Sequence, residues 1–424
     1  MISEEQSLIH NGVSRRTFLR TLGAASAAAA TIPSMAYAQS QQSGAPAQAA
    51  RRGYGNADMG ERQTLPADTV IISSNENPLG PAKSSLDAIC ATAPLGGRYH
   101  AEETSKTVQV FLDQYGLKRG YAGLFPGSGG PLDLALMSNI GPDKPLIYAD
   151  PSYEQGPRAA DMMKAPKFAT RLTPTYAHDV RAMLAAHPSP GAYYIVNPNN
   201  PTGTMTPRKD ILWLIENKPK GSVVIVDEAY FHFSDHDSVI DQVALDKDVI
   251  VMRTFSKIYG MAGIRAGFAV ARPDLLAKFT NVAAPARSLA SISITSAAGA
   301  RAGLEDKDLV PLRRKINADT RSETLEFLTK RGYKVLPGSQ ANFFMVDVGR
   351  SGQEFHQSMM KENVAIGRTW SVMPTYVRVT VGTPPEMKKF QTAFVKCMDK
   401  TPGTSNGASL YLPEYHVPTE LYRG

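Results

Sequence analysis

A lysine with hydroxyl neighbours stands just beyond the end of a short apolar run. Thr254, Ser256 and Lys257 follow the run 249–252, and Arg265 comes eight residues after the lysine. A lysine in such a place suits a Schiff base with an aldehyde cofactor, while hydroxyls and an arginine suit a phosphate group. Since lysine at its usual pKa of about 10.4 is a poor nucleophile at neutral pH, we expect burial or a cationic neighbour to lower that pKa.

Other polar side chains follow two further apolar runs. Asp227 and Tyr230 come after 223–226, and Asn200, in an Asn-Pro-Thr-Gly sequence, comes after 192–196. A carboxylate would hold a pyridine nitrogen protonated, and an amide and a phenol would hydrogen-bond a ring oxygen. These residue types therefore favour an aromatic, electron-accepting cofactor.

A glycine-rich segment precedes a helical stretch near Pro131. Ser128, Gly129 and Gly130 form this turn, whose backbone N–H groups and positive helix end would suit a phosphate.

The elements that must position these residues are short apolar runs alternating with helical stretches. Runs at 146–149, 192–196, 223–226 and 249–252 are bounded by turn-forming residues, which is typical of strands buried on both faces. The alternation predicts an α/β fold with a mainly parallel sheet, whose carboxyl edge binds ligands. Later strands at 343–346 and 377–381 and an amphipathic stretch at 321–331 predict a smaller α+β domain.

Taken together, these motifs resemble the fold-type I pyridoxal-phosphate aminotransferases, an aspartate aminotransferase-like fold. The details are similar to the histidinol-phosphate aminotransferase branch, at 74–81 (Ser-Asn-Glu-Asn-Pro-Leu-Gly-Pro), 97–99 (Gly-Arg-Tyr) and 378–383 (Arg-Val-Thr-Val-Gly-Thr). The likeness runs from about residue 72 to residue 394. It implies pyridoxal 5'-phosphate as cofactor, and transfer of an amino group between an α-amino acid and a 2-oxo acid.

The resemblance assigns a role to each motif. Lys257 would be the Schiff-base lysine and would move the proton between Cα and C4′, Asp227 would pair with the ring nitrogen, and Asn200 and Tyr230 would bond the ring O3′. Tyr153 would stack on the ring.

Phosphate and substrate contacts are implied in the same way. The phosphate contacts would be Ser128, Gly129, Gly130, Thr254, Ser256 and Arg265, with Tyr99 reaching the neighbouring subunit's phosphate in a homodimer with shared sites. The substrate contacts would be Arg378, which suits the α-carboxylate as a bidentate fork, together with Arg368 and Asn77.

One departure from the family pattern bears on the substrate. Where relatives often carry an arginine for the substrate phosphate, this chain has Gly367 followed by Arg368, an offset of about one position. We therefore expect ordinary α-amino acids as substrates, with aromatic or bulky side chains weakly favoured. A pyridoxal-phosphate decarboxylase or lyase of the same fold, and a non-catalytic binding protein, remain as alternatives.

Composition narrows the remaining function classes. The 424 residues carry a formal net charge of +7 without a block of basic residues, so no nucleic-acid partner is expected. Cys90 and Cys397 are interpreted as two buried thiols. His232 and the acidic segment 235–237 are interpreted as a solvated loop, and no metal site is predicted.

The first forty residues predict export. Arg15 and Arg16 precede a short apolar run at 22–30, and Ala-Tyr-Ala at 36–38 resembles a cleavage signal. The pattern resembles a twin-arginine signal, so we expect the twin-arginine translocase as a partner, a periplasmic or otherwise exported protein, and no stable membrane anchor. The predicted segments are the signal peptide 1–38, a linker 39–62, small-domain parts 63–95 and 289–400, a large domain 96–288 and an extension 401–424.

Overall fold

A seven-stranded sheet forms the centre of the computed structural model. The structure describes residues 66, 68–283 and 291–399, so the predicted signal peptide, the linker 39–62 and the extension 401–424 lie outside the described residues. The strands, in chain order, are β1 (Val70–Ile72), β2 (Ala122–Phe125), β3 (Leu146–Ala149), β4 (Lys167–Thr170), β5 (Ala192–Val196), β6 (Val223–Asp227), β7 (Val249–Thr254), β8 (Gly267–Val270), β9 (Lys334–Val335), β10 (Phe343–Asp347), β11 (Val364–Ile366) and β12 (Tyr376–Thr380).

The large sheet is mainly parallel, as predicted. Its strand order is β2-β8-β7-β6-β5-β3-β4. Strands β3 to β7 are parallel to one another, and β8 is antiparallel to both β2 and β7. The predicted runs 146–149 and 192–196 coincide with β3 and β5, while β6 and β7 extend slightly further. The predicted α/β fold class is confirmed.

Helices cover both faces of this sheet and connect it to the smaller ones. They are α1 (Lys83–Thr92), α2 (Ala101–Tyr115), α3 (Gly129–Met137), α4 (Gln155–Met162), α5 (Val180–Ala185), α6 (Arg208–Asn217), α7 (Asp241–Ala244), α8 (Pro273–Ala283), α9 (Ile294–Glu305), α10 (Leu309–Thr329), α11 (Gly352–Lys361) and α12 (Pro384–Asp399). Within the ranges that the structure describes, none of the helices combines the length and the apolar character that a membrane span requires.

Side-chain alternation divides the residues of β6 and β7 between two cores. Val224 and Val226 pack with Val251 in one core, whereas Ile225 and Met252 belong to the core on the opposite face. Because successive side chains of a strand point to opposite faces, the residues at the strand ends are divided in the same way.

The C-terminal part forms smaller sheets over a separate core. β9, β10 and β12 form an antiparallel sheet, and β1 pairs in parallel with β11. Phe344, Phe355, Phe390 and Phe394 are fully buried in this core. The described residues from 66 onward belong to one compact unit, and the predicted domain limits remain predictions.

One expectation about the cysteines is wrong. Cys397 is buried, as predicted, but Cys90 is exposed. Cys90 lies on α1. Only Ser85 of the ten residues of this helix is buried, so most of its side chains, Cys90 included, are at least partly open to solvent.

Candidate active site

The carboxyl edge of the large sheet brings the predicted residues together. Asp227 ends β6, Thr254 ends β7, and Asn200 follows β5 by four residues. These three strands are adjacent and parallel, so their ends meet at one edge, as the sequence predicted.

Asp227 is a buried carboxylate without a cationic hydrogen-bond partner among the described residues. Its Oδ2 accepts from the Tyr194 hydroxyl at 3.3 Å, and its Oδ1 accepts from the Ala229 N–H at 3.1 Å. Burial raises the pKa of Asp227 to about 6, although the two hydrogen bonds oppose the rise. At neutral pH the group is mainly ionised, and a positive charge placed beside it would relieve the cost of its burial.

Lys257 has a lowered pKa. Its Nζ lies 3.4 Å from the Ser74 carbonyl oxygen and 5.4 Å from the centre of the Tyr230 ring. Desolvation and, second, the positive charge of Arg378 lower the pKa of Lys257 to about 8. Both causes were anticipated from the chemistry, and they make the amine more nucleophilic at neutral pH.

The peptide after the lysine is held by two side chains. The Ile258 carbonyl accepts from Asn77 Nδ2 at 3.0 Å and from Arg313 Nη1 at 2.9 Å. Asn77 Oδ1 also accepts from the Leu79 N–H at 3.1 Å. The Asn77 amide therefore fixes the lysine loop, and its predicted contact with substrate stays a prediction.

A cup of donors lies beside the lysine. Arg265 Nη1 donates to Ser256 Oγ at 3.2 Å, and Thr254 Oγ1 donates to the same oxygen at 3.0 Å. No carboxylate among the described residues forms an ion pair with Arg265. An uncompensated cation next to two hydroxyls suits a phosphate group.

The glycine turn closes the other side of this cup. Ser128 precedes α3, which begins at Gly129 and continues through Gly130, so the free N–H groups of a helix N-terminus face this region. Gly127 has φ +83°, and a Cβ there would lie 2.1 Å from Arg265 Nη2. The absence of a side chain at Gly127 therefore lets the Arg265 guanidinium approach the turn. This guanidinium, the two hydroxyls and the helix N-terminus fit the phosphate group of pyridoxal phosphate.

Two tyrosines border the space between the cup and Asp227. The Tyr230 hydroxyl accepts from Asn75 Nδ2 at 3.1 Å, and its ring meets Phe343 edge-on at 4.9 Å between centres. Burial raises the pKa of Tyr230 and raises that of Tyr153 to about 12, so both stay protonated donors at neutral pH.

Arg378 is buried and oriented by neutral groups. Its Nη1 donates to Asn200 Oδ1 at 2.7 Å, and its Nη2 donates to the Ser73 carbonyl at 2.8 Å. Its Nε has no hydrogen-bond partner among the described residues, and no carboxylate there pairs with it. A buried guanidinium without an acid partner suits an anionic ligand.

Arg368 is in a different environment. It forms an ion pair with Glu154, and its guanidinium lies 4.3 Å from the centre of the Trp370 ring. These residues and Tyr153 line a cavity of about 410 Å³. The Trp370 ring centre also lies 5.3 Å from the Arg378 guanidinium, so the cavity adjoins the arginine that was predicted to bind the substrate carboxylate.

Tyr99 is 95% exposed in the single protomer. It lies just before α2, and its predicted contact with a neighbouring subunit's phosphate stays a prediction. The exposed apolar side chain is what a partner surface would have to cover.

The sequence interpretation missed two residues that orient the site. Asn75, at φ +55°, holds the Tyr230 hydroxyl, and Tyr194 holds Asp227. Asparagine tolerates the left-handed region better than most residues, but nothing in the sequence indicates that Asn75 adopts it. Tyr194 looks like any other apolar residue of a buried strand.

The interpretation of His232 and the residues after it was partly wrong. Asp235 and Asp237 are exposed, as expected of a solvated loop. His232, however, turns inward, and its Nε2 lies 3.0 Å from Arg253 Nη1. Burial and the charges of two arginines lower the pKa of His232 well below its usual value, so its imidazole is neutral at physiological pH.

Comparisons with known proteins agree with this geometry. The family model described as aminotransferase class I and II matches residues 68–394. A histidinol-phosphate aminotransferase 1 of Nitrosococcus oceani is 31% identical over 78% of this chain and 89% of its own length. An aromatic amino acid aminotransferase of Cutibacterium acnes is 29% identical over 75% of this chain and 90% of its own length.

A solved structure supports the fold. The histidinol-phosphate aminotransferase of Sinorhizobium meliloti, in complex with pyridoxal 5'-phosphate, superposes with a TM-score of 0.70 at 22% identity, covering 78% of this chain and 91% of that one. Together with the family match over most of the described residues, these findings show that the chain belongs to the class I and II aminotransferases and is a pyridoxal-phosphate-dependent transaminase.

Proposed function

We propose that this transaminase acts on α-amino acids and 2-oxo acids whose carboxylate is bound by Arg378, with Lys257 carrying the cofactor. The observation that carries the proposal is the state of Arg378. It is buried, it is oriented by Asn200 and the Ser73 carbonyl, and no described carboxylate neutralises it. A substrate carboxylate would supply the missing negative charge through a charge-assisted, bidentate contact.

Lys257 and Asp227 would do complementary work on the bound cofactor. Pyridoxal phosphate, when bound, supplies an aldehyde that condenses with amines and a ring that accepts the electron pair released at the substrate α-carbon. Lys257, with its pKa lowered to about 8, has a neutral fraction of roughly one in ten at pH 7 and can hold or release a proton at Nζ. Asp227, mainly ionised at that pH, would hold a proton on the ring nitrogen.

The remaining contacts would bind and orient. Ser128, Gly129, Thr254, Ser256 and Arg265 would bind the phosphate. Asn200 and the Tyr230 hydroxyl would fix the ring oxygen, while Tyr153 would cover one ring face. None of these groups needs to exchange a proton, so their role would be to keep the reacting carbon within reach of Lys257 Nζ.

The surroundings of Arg378 argue against histidinol phosphate as the preferred substrate. A Cβ at Gly367 would lie 2.6 Å from the Arg378 backbone oxygen, so this position cannot carry the arginine that relatives use for the substrate phosphate unless the backbone moves. Arg368, the next residue, is engaged with Glu154 and Trp370. Histidinol phosphate also lacks the α-carboxylate that Arg378 would bind.

The cavity beside Arg378 supports a bulky side chain on the donor. Its volume of about 410 Å³ and its aromatic lining by Tyr153 and Trp370 would accommodate an aromatic ring. The Cutibacterium acnes relative, named an aromatic amino acid aminotransferase, supports the same substrate class.

A half-reaction screen tests the proposal. The cofactor-loaded protein is mixed with single amino donors, including phenylalanine, tyrosine, glutamate, alanine and histidinol phosphate, and conversion to pyridoxamine phosphate is followed spectroscopically. We expect conversion with α-amino acids and the largest kcat/KM with bulky donors. Efficient turnover of histidinol phosphate, with no α-amino acid other than glutamate accepted, would contradict the proposal.

Two further proposals concern assembly and location. We propose a homodimer in which Tyr99 of one protomer contacts the phosphate in the other, supported by the exposure of Tyr99 in the single chain. We also propose that the protein is periplasmic or otherwise exported through the twin-arginine translocase, supported by the paired Arg15 and Arg16 and the short apolar run after them. Analytical ultracentrifugation and fractionation of cells test the two proposals separately.

A further inference from the structure

An ion pair is buried under the candidate active site. Arg253 Nη2 lies 2.8 Å from Glu228 Oε2, and each residue is 1% exposed. The same guanidinium donates to Ser238 Oγ at 2.8 Å and lies 3.0 Å from His232 Nε2. Because His232 is neutral, its Nε2 accepts this hydrogen bond.

Glu228 is held as firmly as its partner. Its two carboxylate oxygens accept from Ser238 Oγ at 2.7 and 3.0 Å, and Oε1 also accepts from the Val239 N–H at 3.2 Å. On the other side, the Arg253 guanidinium lies 4.3 Å from the centre of the Phe231 ring. Both charges are thus fixed in position by several contacts each.

The pair is adjacent in the chain to two residues that are proposed above to bind the cofactor. Glu228 directly follows Asp227, and Arg253 directly precedes Thr254. Since successive side chains of a strand point to opposite faces, Asp227 and Thr254 share the cofactor face, while Glu228 and Arg253 share the other face. The Glu228 N–H donates to the Met252 carbonyl at 3.0 Å, so the two strand ends are linked by backbone as well.

Stability alone does not explain such a pair. Burying two charges is costly, and a well-packed apolar pair of similar size is often as stable or more stable. A guanidinium that joins three partners, however, fixes distances and angles that apolar side chains leave free. The geometry it fixes here is the separation of the ends of β6 and β7.

We propose that Arg253 and Glu228 are positioning residues for the transamination reaction. By clamping the ends of β6 and β7 from the opposite face, they set the distance between Asp227 and the segment Thr254–Lys257, and so align the ring-nitrogen contact with the phosphate and lysine contacts. Neither residue touches the cofactor or the substrate. The inference rests on the roles proposed above for Asp227 and Lys257.

The main test is Arg253→Lys, with Arg321→Lys as its matched control. Arg321, on α10, is also a buried arginine, but its hydrogen bond goes to the Ala341 carbonyl, which belongs to neither β6 nor β7. Five quantities are measured for each variant. They are the unfolding midpoint, the dissociation constant of pyridoxal phosphate, KM for the amino donor, the single-turnover half-reaction rate with saturating cofactor and amino donor, and the pH midpoint of the absorbance of the lysine-bound cofactor. Lysine keeps the charge but cannot reach Glu228, Ser238 and His232 at once.

We expect both variants to lose stability, and only Arg253→Lys to lose alignment. Its half-reaction should slow by roughly 10- to 100-fold, as small misplacements of reacting groups do, and its cofactor affinity should fall about tenfold, while KM for the amino donor changes little. The pH midpoint of the absorbance of the lysine-bound cofactor should also fall, because Lys257 loses part of the attraction of Asp227. A role limited to stability would leave that midpoint unchanged.

A second variant covers the case in which Arg253→Lys does not fold. Glu228→Gln keeps the shape and the contacts with Ser238 and Val239 but removes the charge, and it should show the same slow half-reaction and weaker cofactor binding. If the variants that fold match Arg321→Lys in rate, affinity and pH midpoint while the wild-type protein is active, the positioning role is refuted. An inactive wild-type protein would instead refute the proposed function.

Discussion

Replacing Asp227 by asparagine should stabilise the cofactor-free protein while it impairs catalysis. Asparagine has the same shape and can keep the hydrogen bonds with the Ala229 N–H and the Tyr194 hydroxyl. What it removes is a buried negative charge that no cation contacts directly. The wild-type carboxylate therefore costs folding free energy, which the ring of the bound cofactor would offset.

The size of the effect follows from the pKa. Burial raises the pKa of Asp227 from 3.8 to about 6. Below pH 4 the group is protonated in both folded and unfolded protein, so it has no cost. As the pH rises from 4 to 6, Asp227 ionises in the unfolded chain before it ionises in the folded protein, so the folded protein loses stability. Above pH 6 the cost of the buried carboxylate to the free energy of unfolding stays near 3 kcal/mol. At pH 5 it is about half as large. The attraction between Asp227 and Lys257 is already part of this pKa, so the net gain expected for Asp227→Asn above pH 6 is about 2–3 kcal/mol.

Denaturant unfolding of cofactor-free protein at pH 5 and pH 8 measures this difference. Asp227→Asn should be more stable than wild type by about 2–3 kcal/mol at pH 8, with a smaller gain at pH 5. Asp274→Asn is the control, and it should change the free energy of unfolding in the opposite direction. The hydrogen bond from Arg272 lowers the pKa of Asp274, so removing this carboxylate should destabilise the protein by up to about 1 kcal/mol. The half-reaction rate of Asp227→Asn at saturating cofactor should fall.

Two results would refute this reasoning. An Asp227→Asn protein no more stable than wild type at pH 8 would mean that Asp227 is already neutralised in the cofactor-free protein. A gain of equal size at both pH values would show that packing, and not the charge, is responsible. An unchanged half-reaction rate would separately refute the contact between Asp227 and the ring nitrogen.

Three other changes test the remaining assignments. Lys257→Ala should abolish the absorbance of the covalently attached cofactor and nearly all turnover, while circular dichroism shows near-wild-type folding. Retained turnover would show that Lys257 is not the Schiff-base lysine. Arg378→Ala should lower kcat/KM for amino acids by roughly two to three orders of magnitude, since a charge-assisted, largely desolvated contact contributes about 2–5 kcal/mol, and an unchanged value would place the carboxylate elsewhere. Replacing Arg15 and Arg16 by lysine should leave cofactor-loaded, unprocessed protein in the cytoplasm, and normal export of this variant would contradict the assignment of a twin-arginine signal. Wild-type protein recovered from the periplasm should begin at or near Gln39 on N-terminal sequencing.

The residues gathered at the candidate site were easier to predict than the residues that hold them in place. Lys257, Asp227 and Asn200 stand at or just beyond the ends of strands whose apolar runs are plain in the sequence, and parallel strands place their carboxyl ends at one edge. Strand alternation then decides which face each residue takes. Chemistry and topology together were sufficient to predict that these side chains lie at one edge of the sheet.

Residues that act through a distant contact were missed. Asn75 reaches Tyr230 across 155 residues of sequence, and no local pattern indicates that contact. Arg253 and Glu228 stand beside Thr254 and Asp227 in the chain, yet their ion pair depends on the register of β6 with β7, which the sequence does not specify. Exposure was also hard to predict, as Cys90 shows, because it depends on which helix packs on which.

The pairing of β1 with β11 has a consequence for the timing of synthesis. Val70 and Ile72 pair with residues near Ile366, and Asn75 is bonded to Thr380, 305 residues later in the chain. At 5–20 residues per second, a ribosome needs roughly 15–60 s to cover that distance. During this interval Lys257 emerges from the ribosome. The segment that contacts it through Ser74 and continues to Asn75 still lacks its partners in β11 and β12, so the apolar residues of β1 stay available to chaperones. Completion of the site therefore has to wait until translation of the chain has passed β12.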